Sequence, residues 1–222
     1  MKRTLELSTY LVTDRGLCGA RGVEAVVRGA IAGGVSLVQL RDPEAKTGQL
    51  VDQARELLAL LRPAGIPLII NDRVDVALAS AADGVHVGQQ DMAIADVRAL
   101  VGPDMIVGLS ISTLDELERS TAALASVDYL GVGPIFATQT KPDAAPPIGT
   151  TGLAAVVART KLPVVAIGGV KLANAAETIR VGAHGVAVVS EICCASDPTR
   201  ATQQLARAVR ESLAQRRSGT EP

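Results

Sequence analysis

Two aspartates, Asp72 and Asp91, each follow closely on a short apolar stretch rich in β-branched residues. Paired carboxylates suit a hard cation such as Mg²⁺, which proteins hold through one or two carboxylates together with substrate phosphates. Each also has the form of a helix N-cap: Asp72 has Asp75 three residues on, and Asp91 precedes a helical pattern. Gly168-Gly169 and Ser190 follow two further apolar stretches. Backbone amides of a Gly-rich turn, with a short helical turn over 191–195, can cradle a phosphate; a tight turn alone is the other use of such glycines. Arg41 and Lys141 can meet a second anionic group or stand solvated at a rim. His86 falls inside an apolar stretch, as a hydrogen-bonded wall residue would, and His184 opens another. Neither makes a Ser/His/Asp order or a metal cluster. Without a general base, the chemistry that remains is anchoring of phosphate with help from Mg²⁺, governed by positioning and charge stabilisation.

These residues need elements to position them. Eight short strands are predicted over 9–13, 36–40, 67–71, 84–87, 105–110, 129–132, 164–167 and 185–189, alternating with helical patterns. Leu50, Ala54, Leu57, Leu58 and Leu61 lie on one face of a helix. Leu114, Leu117, Thr121 and Leu124 predict another, opened by the capping-box pattern Thr113-Leu114-Asp115-Glu116. A last helix is expected from 199 to about 214, with Ala201, Leu205, Val209 and Leu213 inward. Strands and helices in alternation imply parallel pairing, and consecutive apolar residues imply strands covered on both faces. Eight units fit a (β/α)₈ TIM barrel, and no Gly-rich dinucleotide fingerprint follows the first strand to favour an open sheet. The expectation is an α/β chain with a single barrel domain over 1–216 and a polar, disordered tail over 217–222. In such barrels chemistry sits at the C-terminal strand ends, which is where the polar residues gather, including Gln39, Arg41, Asn71 and Ser110.

Composition excludes several functions. The 222 residues are 48% hydrophobic, yet include only two Tyr, one Phe and no Trp, so the core must be aliphatic. A net charge of −1 and three aromatics supply neither the electrostatic footprint nor the stacking platform of a nucleic-acid binder. No apolar run is long enough to span a membrane, and the first residues have no secretory pattern. Three cysteines, Cys18, Cys193 and Cys194, form no metal spacing and read as free thiols of a cytoplasmic protein. Homo-oligomer formation is left open.

Six segments, taken in order, resemble the thiamine phosphate synthase (thiamine-phosphate pyrophosphorylase) family: Gln39-Leu40-Arg41-Asp42, Asn71-Asp72-Arg73, Gly84 through Asp91, Gly131 through Pro142, Ile167-Gly168-Gly169-Val170 and Val188-Val189-Ser190. The most specific is Gly133-Pro134 followed by Thr138-Gln139-Thr140-Lys141-Pro142. The resemblance implies a (β/α)₈ transferase of thiamine biosynthesis. It would join 4-amino-2-methyl-5-pyrimidinylmethyl diphosphate to a thiazole phosphate and release pyrophosphate. Gln39, Arg41, Asn71, Ser110 and Lys141 would hold the pyrimidine diphosphate, with Arg41, Ser110 and Lys141 acting at the reacting end. Asp72 and Asp91 would bind Mg²⁺. Thr138, Gln139, Thr140, Gly169, Val189 and Ser190 would meet the thiazole phosphate.

Two positions depart from the family pattern. Pro43 stands where a Lys is usual, leaving Lys46 as the nearest substitute, and Ser112 stands where a His is frequent. Related barrels that isomerise the thiazole use a His in that region, so Ser112 weighs against a thiazole tautomerase. A non-catalytic barrel that binds a thiamine precursor is the remaining alternative from a different class.

Overall fold

Strands buried on both faces need apolar residues at successive positions, and eight segments supply them: β1 (Thr9–Val12), β2 (Leu37–Leu40), β3 (Leu68–Asn71), β4 (Gly84–Val87), β5 (Ile106–Ile111), β6 (Tyr129–Val132), β7 (Val164–Ile167) and β8 (Gly185–Val188). In the computed structural model, which describes residues 5–140 and 145–219, they pair in sequence order as one closed parallel barrel. Closure comes from β1 lying against β8, with Thr9 opposite Val186 and Tyr10 opposite Ala187. The strands fall within a residue or two of the expected limits.

The helices are α1 (Arg15–Cys18), α2 (Gly22–Gly33), α3 (Thr47–Leu61), α4 (Val74–Ser80), α5 (Ile94–Val101), α6 (Leu114–Arg119), α7 (Gly149–Val157), α8 (Leu172–Arg180), α9 (Ser190–Cys193) and α10 (Pro198–Ser218). The predicted stripe on α3 is its buried face, with Leu50, Ala54, Leu57, Leu58 and Leu61 all packed inward. Each such leucine contributes about 1.5–3 kcal/mol by leaving water. The helix expected over 114–124 is instead two pieces. α6 ends at Arg119, and a 3₁₀ segment, Thr121–Ser126, carries the chain to β6. Its capping box is also half made. Thr113 Oγ1 accepts the amide of Glu116, but the Glu116 carboxylate takes the amide of Ser112 rather than that of Thr113. At the far end, α10 continues to Ser218, past both the expected end near 214 and the domain limit placed at 216. Residues 220–222 of the predicted tail lie outside the described residues.

Two apolar regions form. The larger lies between the barrel and its helices; the smaller fills the barrel interior with Leu7, Tyr10, Leu37, Ile69, Tyr129, Val165 and Ala187. Above that floor the interior becomes polar. The outer ring is closed by α10, which packs on α2 and α8. The α2 contact is close: a Cβ on Gly33 would lie 2.5 Å from the Thr199 carbonyl oxygen and 2.6 Å from Thr202 Cβ.

Candidate active site

The C-terminal strand ends surround a cleft of about 640 Å³, within the range of small-molecule sites. Gln39 and Arg41 reach it from β2 and the residue following it, Asn71 and Asp72 from β3, Ser110 from β5, and Ser190 from the start of α9. The arrangement follows from parallel pairing, since every strand runs the same way and delivers its last residues to the same rim.

The two aspartates converge. Asp72 and Asp91 are hydrogen-bonding neighbours, and the Asp72 carboxyl is pushed up to about 6 by burial and by the adjacent Asp91 charge. Neither caps a helix: α4 begins after Arg73 and α5 after Ala93. Asp72 instead has a left-handed backbone, φ 59°, a conformation that costs a non-glycine residue about 1–2 kcal/mol. Its amide donates to the His86 carbonyl of β4 at 2.8 Å, and Asn71 Nδ2 donates to its Oδ2 at 2.6 Å. Asp91 Oδ2 accepts the Gly88 amide at 2.8 Å. A close carboxylate pair of this kind fits a divalent cation. Among the described residues no group of three or more His, Cys, Asp or Glu offers an all-protein cage, so remaining ligands would have to come from substrate and water.

Across the cleft, the loop that leaves β6 is strapped to the end of β7. The amides of Ile135 and Phe136 donate to the carbonyls of Ile167 and Gly168, each at 2.9 Å. The glycine pair makes that approach feasible. Gly168 and Gly169 both have positive φ, 86° and 66°. A Cβ on Gly168 would meet Pro134 Cα at 2.5 Å, and one on Gly169 would meet the Ala137 carbonyl oxygen at 2.6 Å. Both glycines therefore make a tight turn, and their contact with the β6 loop gives a second reason for them. Val189 and Ser190 flank the same side, with the short helix spanning Ser190–Cys193 rather than 191–195.

Below the rim, His86 is a wall residue as expected. Its Nδ1 pairs with the Tyr129 hydroxyl and its Nε2 with Ser110 Oγ, both at 2.9 Å. Burial lowers its pKa to about 4. His184 lies at the opposite end of the barrel, where Nδ1 accepts the Val164 amide at 3.1 Å. Arg41 is partly covered and 3.8 Å from Asp14.

Of the residues singled out from sequence, Gln39, Arg41, Asn71, Asp72, Asp91, Ser110, Thr138, Thr140, Gly169, Val189 and Ser190 line one cleft. Gln139 does not: it is exposed and absent from the cleft wall. Lys141 lies outside the described residues. Lys46 is exposed at the start of α3 and is absent from the cleft wall. Sequence reasoning missed Glu116, which also faces the cleft. Glu116 was hidden by its helix-capping pattern.

A closed parallel barrel with its polar residues and paired carboxylates at the C-terminal rim defines a (β/α)₈ enzyme. Residues 9–192 match the family model described as thiamine monophosphate synthase. The chain belongs to that family and is a transferase of thiamine biosynthesis. It is 54% identical over 205 residues to a thiamine-phosphate synthase of Azorhizobium caulinodans, covering 92% of this chain and 96% of that one. It is 56% identical over 209 residues to another from Xanthobacter autotrophicus, covering 94% and 98%. Among solved structures, a thiamine phosphate pyrophosphorylase from Pyrococcus furiosus superposes with a TM-score of 0.85 at 36% identity, covering 94% of this chain and 98% of that one.

Proposed function

We propose that the cleft joins 4-amino-2-methyl-5-pyrimidinylmethyl diphosphate to a thiazole phosphate, giving thiamine phosphate and pyrophosphate with help from Mg²⁺. The observation that carries this reading is the convergence of Asp72 and Asp91 at the rim, beside Arg41 and opposite the β6 loop. Asp72 and Asp91 would hold the cation, which when bound supplies charge neutralisation for the leaving diphosphate. Arg41 and Lys141 would hold the diphosphate oxygens, while Gln39, Asn71 and Ser110 orient the pyrimidine. Thr138, Thr140 and the turns at Gly169 and Ser190 would seat the thiazole phosphate.

The bond between the pyrimidine methylene carbon and the diphosphate oxygen breaks first, the electron pair leaving with the diphosphate. The electron-rich ring carries the resulting positive charge until the thiazole nitrogen donates its pair to the methylene carbon. Such a step needs a clamp on the leaving group and not a strong base. This agrees with a cleft whose His86 is neutral and already engaged on both nitrogens. We also place the protein in the cytoplasm, a reading supported by three cysteines that remain thiols. No helix among the described residues is long and apolar enough to cross a membrane.

The test is pyrophosphate release from the two substrates with Mg²⁺ and with excess chelator. Release that depends on Mg²⁺ is expected. No release with Mg²⁺, or full release in chelator, overturns the reading. Asp91→Ala should lower turnover at least a hundredfold; an active variant would discard the cation assignment.

A further inference from the structure

Beneath the cleft, five side chains from five strands hydrogen-bond in series. Gln39 Nε2 donates to the Tyr10 hydroxyl at 2.6 Å. The Tyr10 and Tyr129 hydroxyls are 2.9 Å apart, and Tyr129 continues to His86 Nδ1, whose ring continues through Nε2 to Ser110 Oγ. Both ends, Gln39 and Ser110, line the cleft. The barrel makes room for the interior of this chain by omitting side chains. A Cβ on Gly108 would lie 2.3 Å from His86 Nδ1 and 2.4 Å from Tyr129 Cζ, and one on Gly131 would lie 2.9 Å from His86 Cε1.

Hydrogen count gives the chain a direction. Tyr10, Tyr129 and His86 are all buried, and each holds one exchangeable hydrogen as a neutral phenol or imidazole. The Gln39 amide donates to Tyr10, so the single Tyr10 hydrogen goes to Tyr129, and the single Tyr129 hydrogen goes to His86 Nδ1. The imidazole hydrogen is then on Nε2 and is donated to Ser110. Left over at the two ends are the Gln39 carbonyl oxygen, an acceptor with the second Nε2 hydrogen beside it, and the Ser110 hydroxyl hydrogen, a donor. Reversing one link reverses all of them: the Gln39 oxygen then turns to Tyr10, and Ser110 is left to accept instead of donate.

We propose that Tyr10, Tyr129 and His86 are positioning residues for the pyrimidine ring, locking Gln39 as an acceptor and Ser110 as a donor toward the amine and a ring nitrogen of the substrate. This rests on the substrate reading given above, and the experiment separates the two. ¹⁵N shifts of His86 in the full-length protein report its tautomer without any substrate, and kinetics report the coupling between the ends.

Wild-type His86 should be neutral with the hydrogen on Nε2. Tyr10→Phe should raise KM for the pyrimidine diphosphate about tenfold, the effect of one lost hydrogen bond of ordinary strength, and leave KM for the thiazole phosphate within about twofold. Tyr10 and Ser110 share no hydrogen bond, yet Tyr10→Phe combined with Ser110→Ala should raise KM at least threefold less than the product of the single effects, because each breaks the same chain. Tyr129→Phe replaces Tyr10→Phe if the latter does not fold. A hydrogen on Nδ1, a charged His86 at neutral pH, multiplicative effects, or equal rises in both KM values would overturn the proposal. A wild type without turnover but with the Nε2–H tautomer would overturn the substrate reading and, with it, the positioning role, while leaving the direction of the chain in place.

Discussion

At the scale of single residues, His86 couples the site to the stability of the whole protein. Folded His86 stays neutral down to about pH 4, whereas an unfolded histidine takes up a proton near its usual value of 6.5. Between those values the unfolded chain binds more protons, so stability falls as the pH drops from about 6.5 to about 4. The gap corresponds to about 3 kcal/mol. Burial and Arg216 also lower the pKa of His184, which adds in the same sense. Asp72, raised to about 6 from a usual 3.8, acts oppositely, since there the folded state holds the extra proton. Comparing wild type with His86→Gln removes only the first contribution. Urea unfolding across this window should show wild type losing about 3 kcal/mol more than the variant as the pH falls. Parallel profiles would show that His86 is not held neutral by the fold. His86 was legible as a wall residue because it falls within an apolar run. Its partners were not, because Tyr129 and Ser110 are distant in sequence and meet it only through barrel registry.

At the scale of elements, the periodicity of buried residues determined most of what could be read. All eight strands and the buried face of α3 appear where their apolar spacing places them. What failed was local. Leu114 and Leu124 share a helical spacing, but Ser120 interrupts it and the chain tightens into a 3₁₀ segment, a change for which spacing carries no signal. The seam between α2 and α10 was equally hidden, because a glycine inside a helix reads only as a weakness of about 1 kcal/mol. The packing reverses that reading at Gly33, where an added methyl group meets the Thr199 carbonyl at 2.5 Å. Overpacking costs about 1–3 kcal/mol, and a clash with backbone lies at the upper end. Gly33→Ala should therefore lose about 2 kcal/mol in spite of better helix propensity, lowering Tm by about 4–8 °C in a thermal melt. An unchanged or higher Tm would mean that the two helices can separate freely. Gly168→Ala should behave differently, since its methyl group meets Pro134 of the β6 loop. The expected result is loss of turnover together with a Tm drop no smaller than that of Gly33→Ala, because the methyl group meets Pro134 Cα at 2.5 Å and the position has φ 86°.

At the scale of the whole molecule, net charge is near zero, −1, and the cleft mixes signs, with Arg41, Asp72, Asp91 and Glu116 all on its wall. An anion entering alone meets carboxylates as well as guanidinium, so anion and divalent cation should bind far better together than apart. Ligand at about a hundred times its Kd stabilises a fold by about 2.7 kcal/mol, or roughly 5–10 °C for a chain of this size. Pyrophosphate with Mg²⁺ should raise Tm by that amount, and pyrophosphate alone by less than about 2 °C. Asp91→Asn should abolish the difference; equal shifts with and without Mg²⁺ would remove the aspartates from the cation site. The hydrogen-bonded chain in the barrel has one more consequence, an optical one. There is no Trp, and the two tyrosines are both members of that chain. Tyrosine absorption and emission therefore arise wholly from the floor of the cleft, making the unlabelled protein a reporter of events at its own site.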